Sequence, residues 1–148
     1  MRYILILSAL VLFFTSCKKD KYTTAPQISF KDMKPDAWIR GTISGGNLPV
    51  LTISVTDAEG DLGLSGKDTS FLYLTNLRTN RFDSLRLPDI SLAVKRNFQA
   101  DIIISLGTIL SVPNGAVKDT IYYDVYLKDF AKNKSNVLRT GKPIYYFP

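Results

Sequence analysis

Asp57, Glu59 and Asp61 place carboxylates at every second position of the loop Asp57-Ala58-Glu59-Gly60-Asp61, with glycines at 60 and 63. Closely spaced carboxylates offer hard oxygen donors to a cation. Together with Ser65 and Asp68, the three acids fall at positions 1, 3, 5, 9 and 12 of a calcium-loop template. The template wants glycine at position 6, where the chain has Leu62, and a bidentate glutamate at 12, where it has the shorter Asp68. No helical pattern flanks the loop, which argues against an EF-hand. Calcium needs about six to eight well-placed oxygens, so a loop site between strands stays open, with Asp57, Glu59, Asp61 and the distant Asp129 as candidate ligands. The competing reading is structural: Asp57 and Asp61 bond local backbone N–H groups while Gly60 and Gly63 take positive φ.

Other chemistry is thinly supplied. Glycoside hydrolysis uses two carboxylates about 5 to 9.5 Å apart across a cleft. Acids clustered on one turn, with no cleft-forming insertion, do not provide that geometry. The chain has no histidine, which removes the usual general base and the usual zinc ligand. No serine sits in a nucleophile-elbow sequence. Tyr122, Asp124 and Tyr126 share one face of a strand and could stack on a sugar ring or a partner. On an antiparallel sheet such tyrosines more commonly cover neighbouring side chains, and Trp38 reads as a core or sheet-edge residue.

The single cysteine has a different role. Arg2 is followed by the apolar run Tyr3–Phe14 and then by Thr15, Ser16 and Cys17, the layout of a secretory signal peptide. The run is too short for a membrane-spanning helix of roughly 20 apolar residues. Phe14-Thr15-Ser16-Cys17 resembles a bacterial lipobox, in which Cys17 is lipidated and becomes the first residue of the mature protein. With no second cysteine, no internal disulfide can form. Leaving out residues 1–16 removes only Arg2 from 19 basic residues, so 18 stand against 13 acidic ones, a net of +5. That charge could favour contact with anionic envelope polymers or lipid head groups, but more often means only a soluble surface. Arg78, Arg81, Arg86, Lys95 and Arg96 are scattered over different elements without a nucleic-acid motif, so no nucleic-acid partner is expected.

The elements that must position the acids are strands. Leu51, Ile53 and Val55 alternate with Thr52, Ser54 and Thr56 up to Asp57, the period of two of a half-buried strand. Ile121, Tyr123, Val125 and Leu127 alternate in the same way up to Asp129, within a strand expected over Asp119–Lys128. Further strands are expected at Gln27–Phe30, Trp38–Ile43, Phe82–Leu87, Phe98–Leu106 and Val137–Phe147, the last interrupted by Gly141 and Pro143. Phe71–Leu77 is apolar at nearly every position, which predicts a central strand buried on both faces. Thr79-Asn80 and Pro113-Asn114-Gly115 are turn signals. No segment after residue 16 shows a useful helical period. The chain therefore reads as all-β, an antiparallel β-sandwich of seven or eight strands, with a closed barrel as the runner-up. The expected division is a signal peptide at 1–16, the lipidated Cys17 and a polar tether at 17–26, and one sandwich domain at 27–148.

Thr56-Asp57-Ala58-Glu59-Gly60-Asp61-Leu62-Gly63, followed by Tyr126-Leu127-Lys128-Asp129 and Asn133-Lys134-Ser135-Asn136, resembles the small lipoproteins of Bacteroidetes that carry one immunoglobulin-like domain. The resemblance covers the lipobox and roughly residues 27–147, and departs at Lys132, where the late turn usually has glycine. It implies an immunoglobulin-like fold and an envelope location, and supplies no activity. In that strand order the loops 57–69 and 129–136 leave from one pole and lie side by side, with Lys132 and Lys134 near enough to neutralise part of the charge. Whether the tether enters at that pole stays open, because the strand around Trp38 blurs the count.

The expectation is thus a non-catalytic, lipid-anchored envelope protein acting as a binding or interaction module. Its expected partners are the membrane, through the lipid, and an envelope protein or glycan. Alternatives are an accessory subunit of an outer-membrane complex and a minor hydrolase using loop 57–68. Lys18-Lys19-Asp20-Lys21 is a poor match to the acidic signal of surface-exported lipoproteins, which favours an outer-membrane lipoprotein facing the periplasm.

Overall fold

The computed structural model describes residues 20–39, 48–65, 68–88, 96–112, 114–115 and 117–147. The signal peptide, Cys17 and residues 40–43 of the strand expected around Trp38 lie outside these. Among the described residues there is no helix, and none long and apolar enough to cross a membrane.

The strand that ends in the acidic loop is β3 (Val50–Asp57), paired antiparallel on one side with β1 (Gln27–Lys34) and on the other with β8 (Phe98–Ser105). Its alternation has the expected consequence: Leu51, Ile53 and Val55 are buried, and the residues between them are half-buried. The facing sheet runs β11 (Leu138–Arg139), β10 (Tyr123–Lys128), β6 (Phe71–Asn76), β7 (Phe82–Arg86), all antiparallel. Leu72, Leu74, Tyr123, Val125 and Leu127 from this sheet join Ile28, Leu51, Ile53, Val55, Ile102 and Ile104 from the first in one buried cluster. Two sheets sharing one core, each with open edges, make a sandwich and not a barrel.

The order is immunoglobulin-like. β1, β3 and β8 take the first, second and fifth places in one sheet, while β6, β7, β10 and β11 supply the third, its neighbour, the sixth and the seventh in the other. A small third sheet closes one side: β2 (Ala37–Ile39) pairs parallel with β12 (Ile144–Phe147), which pairs antiparallel with β9 (Asp119–Ile121). The hairpin β4 (Leu64–Ser65) and β5 (Asp68–Thr69) sits in the loop after β3. The Tyr123 hydroxyl, at the start of β10, donates to the Ile109 carbonyl at 3.4 Å, the back-bond of the tyrosine corner found in such sandwiches.

Four expectations shift. The first strand runs on from Phe30 to Lys34 through an irregularity at Lys31. The strand over Asp119–Lys128 is divided at Tyr122, because β9 pairs with β12 and β10 pairs with β6 and β11. Phe71–Leu77 is central but buried on one face only: Leu72, Leu74 and Asn76 point into the core, and the outer residues are half-buried. Aromatic rings cover that outer face, with Tyr73 stacked on Tyr126 at 4.8 Å and on Phe82 at 5.8 Å, so an apolar outer face reflects mutual cover and not a third layer. Lastly, residues 20–26 are less free than a tether. Pro26 is buried, and the Thr23 carbonyl accepts the Ala58 N–H at 3.1 Å.

Candidate functional site

Alternation along β3 carries one residue beyond its apolar positions, so Asp57 takes a core place at the strand end and is fully buried. Its Oδ2 accepts the Gly60 N–H at 2.6 Å and the Asp61 N–H at 3.2 Å. This is the Asx-type turn the sequence suggests, and Gly60 (φ 70°) and Gly63 (φ 96°) supply the left-handed backbone it requires. Leu62, fully buried, pins the turn to the core. Within so tight a turn the strand alternation no longer governs direction, and Glu59 faces solvent.

The second junction repeats the device. Tyr123, Val125 and Leu127 are buried, and Asp129 follows at the next inward position, 1% exposed. Its Oδ1 accepts the Asn133 N–H at 2.7 Å and its Oδ2 accepts from the Asn133 side-chain amide at 2.8 Å. The turn between them holds Lys132 at φ 69°. The backbone therefore keeps a glycine-like conformation although glycine is absent, at a cost of about 1 kcal/mol. Ser135 and Asn136 complete the clamp. The Leu127 N–H donates to Ser135 Oγ at 3.0 Å, while Asn136 accepts the Ile28 N–H at 2.8 Å and donates to the Ile28 carbonyl at 2.9 Å. One asparagine thus pairs with β1 as a strand residue would.

The two loops meet. Phe130 N–H donates to the Asp61 carbonyl at 3.0 Å and Ala131 N–H donates to Asp61 Oδ2 at 3.3 Å. The shared pole expected from strand order is what this contact requires, since β3 and β10 both end here. One oxygen each from Asp57, Asp61 and Asp129 lies within 4.8 Å of the others. Of the four candidate ligands three converge, and the exposed Glu59 is not among them. Asp68 is exposed on β5 and lies outside the cluster. The tether question also resolves: β1 begins opposite Thr56, and Thr23 bonds Ala58, so the chain enters at this pole.

Electrostatically the pole is unbalanced. Among the described residues, none of the three carboxylates forms an ion pair with lysine or arginine. Lys134, expected to neutralise them, is exposed and lies over the Tyr126 ring at 4.1 Å instead, a cation–π contact worth about 0.5 to 1 kcal/mol at an exposed site. Burial pushes the Asp57 carboxyl up to about 6; the neighbouring charges of Asp61 and Glu59 add to this, and the two backbone N–H bonds oppose it. Burial and the Asp129 charge likewise raise Asp61. Asp57 Oδ1 and Asp61 Oδ1 are buried with no hydrogen-bond partner in the protein.

Such an arrangement suits coordination better than proton transfer. Three anionic oxygens without nitrogen or sulfur form a donor set for a hard cation. A fully buried Asp57 cannot reach a substrate, so any hydrolytic use of this loop would fall to its exposed carboxylates, Glu59 and Asp68. The tyrosines resolve as covering residues: Tyr126 stacks on Tyr73, Asp124 pairs with Arg139 at 2.9 Å, and only Tyr122 is exposed. Trp38 packs on Tyr146, ring centroids 5.0 Å apart. The sequence reading missed the roles of Asn133, Ser135 and Asn136, although the late turn motif that contains them was the available signal. Comparison of the chain with protein-family models, with curated proteins and with solved structures finds no match in any of the three.

Proposed function

We propose that the protein is a non-catalytic, lipid-anchored module of the cell envelope that binds through its carboxylate pole. The observation that carries this reading is the joining of loops from opposite sheets into one surface, by Phe130 and Ala131 bonding Asp61, around carboxylates with unpartnered oxygens. Loops held rigidly at one end of a sandwich are where binding residues collect. The anchor follows from Cys17 in its lipobox setting, and the resemblance to Bacteroidetes lipoproteins fits an outer-membrane protein facing the periplasm. From Thr23, docked at the pole, back to Cys17 is six residues, a reach of at most about 20 Å. The pole then lies close to the membrane surface, where an envelope protein or glycan would meet it.

A second reading has its own observation. Ile39, Tyr122, Tyr145 and Phe147 are 38–50% exposed on the outer side of the β2–β12–β9 sheet, and register places Ile39 beside Phe147 and Tyr145 beside Thr120. This face lies at the end of β9 away from the pole, and a group of exposed apolar side chains marks a contact with another protein. It favours an accessory subunit of an envelope complex.

Photo-crosslinking side chains placed at Glu59 and Ala131, or at Tyr145, separate the two. Binding of glycan or peptidoglycan fragments without turnover, blocked by changes at 59 and 131, supports the module. A stoichiometric protein captured only from Tyr145 overturns it in favour of the subunit. Metabolic labelling with palmitate, lost in Cys17→Ala, tests the anchor.

A further inference from the structure

We propose that the pole is a calcium site, with Asp57, Asp61 and Asp129 as its protein ligands. This deepens the binding reading given above and rests on it only in sharing the same loops. Geometry comes first. Calcium–oxygen distances are about 2.3 to 2.6 Å, so two ligands of one ion sit at most about 5 Å apart. The three carboxylates offer one oxygen each within 4.8 Å of one another.

The second observation is independent of that spacing. Asp57 is 0% exposed, and although its Oδ2 accepts two backbone N–H groups, its Oδ1 accepts none; the buried Asp61 Oδ1 is unpartnered too. A buried carboxylate oxygen without a donor is costly, and the backbone donors that reach Asp57 and Asp61 are directed to the other oxygen, Oδ2, of each. Asp57 Oδ2 holds Gly60 and Asp61, Asp61 Oδ2 holds Ala131, and Asp129 holds Asn133 through both oxygens. The hydrogen bonds thus fix the orientation of all three groups and leave one oxygen each of Asp57 and Asp61 without a donor. A divalent cation supplies what lysine and arginine do not supply here.

Calcium is the favoured ion on donor type. The set is all oxygen, the whole chain lacks histidine, and its one cysteine, Cys17, is outside the described residues, which disfavours zinc and copper. Three carboxylates also exceed the one or two with which magnesium is usually held. The remaining coordination positions go to water. Ligands from loops of both sheets would make the ion a clasp across the sandwich end, next to the docked Thr23.

The test uses the full-length protein in non-ionic detergent at neutral pH. Isothermal titration with calcium chloride should show one site, with affinity in the range of about 0.1 to 1 mM typical of extracellular modules. The melting midpoint should rise by about 3 to 6 °C between chelator and about 5 mM calcium, and less in magnesium. Asp61→Asn keeps an acceptor for Ala131 and should fold yet lose the shift; Asp129→Asn, which keeps an acceptor for Asn133, is the second variant. Glu59→Gln should retain the full shift. Equal midpoints in calcium and chelator with no titration heat, or an undiminished shift in both aspartate variants, overturn the site. If the ion fails while crosslinking at 59 and 131 still tracks ligand binding, the module reading survives without it. If calcium binds and the pole captures nothing, the reverse holds.

Discussion

Aspartates on the sheet faces and aspartates at the pole are the same side chain in opposite settings. On the faces five have a basic partner: Asp124 with Arg139, Asp119 with Arg78, Asp83 with Arg81, Asp32 with Lys34 and Lys142, and Asp101 with Lys31. The basic partners are exposed, although Asp119 and Asp83 are themselves largely covered and Asp83 Oδ2 is buried without a hydrogen-bond partner; the partners hold Asp32, Asp101 and Asp124 below the ordinary carboxylate range, and the Thr120 N–H is the main cause for Asp119. At the pole Asp57 and Asp129 are dry, Asp61 is half-buried, all three are without a cation, and Asp57 and Asp61 are raised. Exposed pairs contribute little to stability, whereas buried, like-charged carboxylates oppose it unless something offsets their charge. The faces are built for solubility. The pole combines turn-forming hydrogen bonds with carboxylates that have no basic partner among the described residues.

The largest test of this contrast is Asp129→Ala. It removes the acceptor of both Asn133 bonds inside the turn that holds Ala131 against Asp61. Loss of charge-assisted bonds at a buried site should lower stability by about 2 to 4 kcal/mol in calcium, read by urea denaturation. A loss no larger than that of Asp124→Asn would erase the distinction between the two classes.

Acidity gives the next effect, and its two halves have opposite signs. Asp57 binds its proton more tightly folded, at about 6, than at the ordinary 3.8. Its contribution is therefore full below about pH 4 and is lost as pH rises towards 6. The face aspartates Asp101, Asp119 and Asp124 are lowered, so their contribution is present above the ordinary carboxylate range and is lost as pH falls through and below it. In chelator the melting midpoint should peak near pH 4 to 5 and decline towards neutrality, and calcium should flatten that decline. A midpoint that climbs steadily to pH 7 in chelator would place the pole with the faces.

Smaller still is Lys132→Gly. It relieves the positive φ of 69° in the pole turn and should stabilise by about 0.5 to 1 kcal/mol, measurable as a slower unfolding rate or a raised urea midpoint. The smallest effect belongs to the faces: Asp124→Asn breaks the pair with Arg139 on an exposed strand, and should move the melting midpoint by no more than about 2 °C. A larger drop would show that the face pairs carry more than solubility.

Much of the fold was legible because strand alternation is local. Whether Leu51 points inward depends on the pleat of its own strand, and the inward faces of β3, β8 and β10 follow from that rule. The rule was legible at the candidate site for Asp57 and Asp129, each the next inward position after a buried run. It misplaced Glu59, because past the strand end a tight turn governs direction. It also overstated the burial of Phe71–Leu77, since composition does not distinguish a second packed layer from aromatic rings covering one another.

By itself, then, the sequence determined the class of fold, the turn positions of Gly60 and Gly63 and the inward registers, each a property of neighbouring residues. Tertiary structure decided what lies far apart in the chain. It brought Asp129 to Asp57 and Asp61, joined Asn136 to Ile28 across 108 positions, gave Asp124 its arginine and docked Thr23 on the acidic loop. The physical reason is that strand order fixes which loop ends are neighbours, and only the pairing of β6 with β10 and the closing of one sheet over the other set that order. Lysines and carboxylates carry no preference for one another in the sequence; the sandwich placed Lys134 on a tyrosine ring and left three acids facing each other.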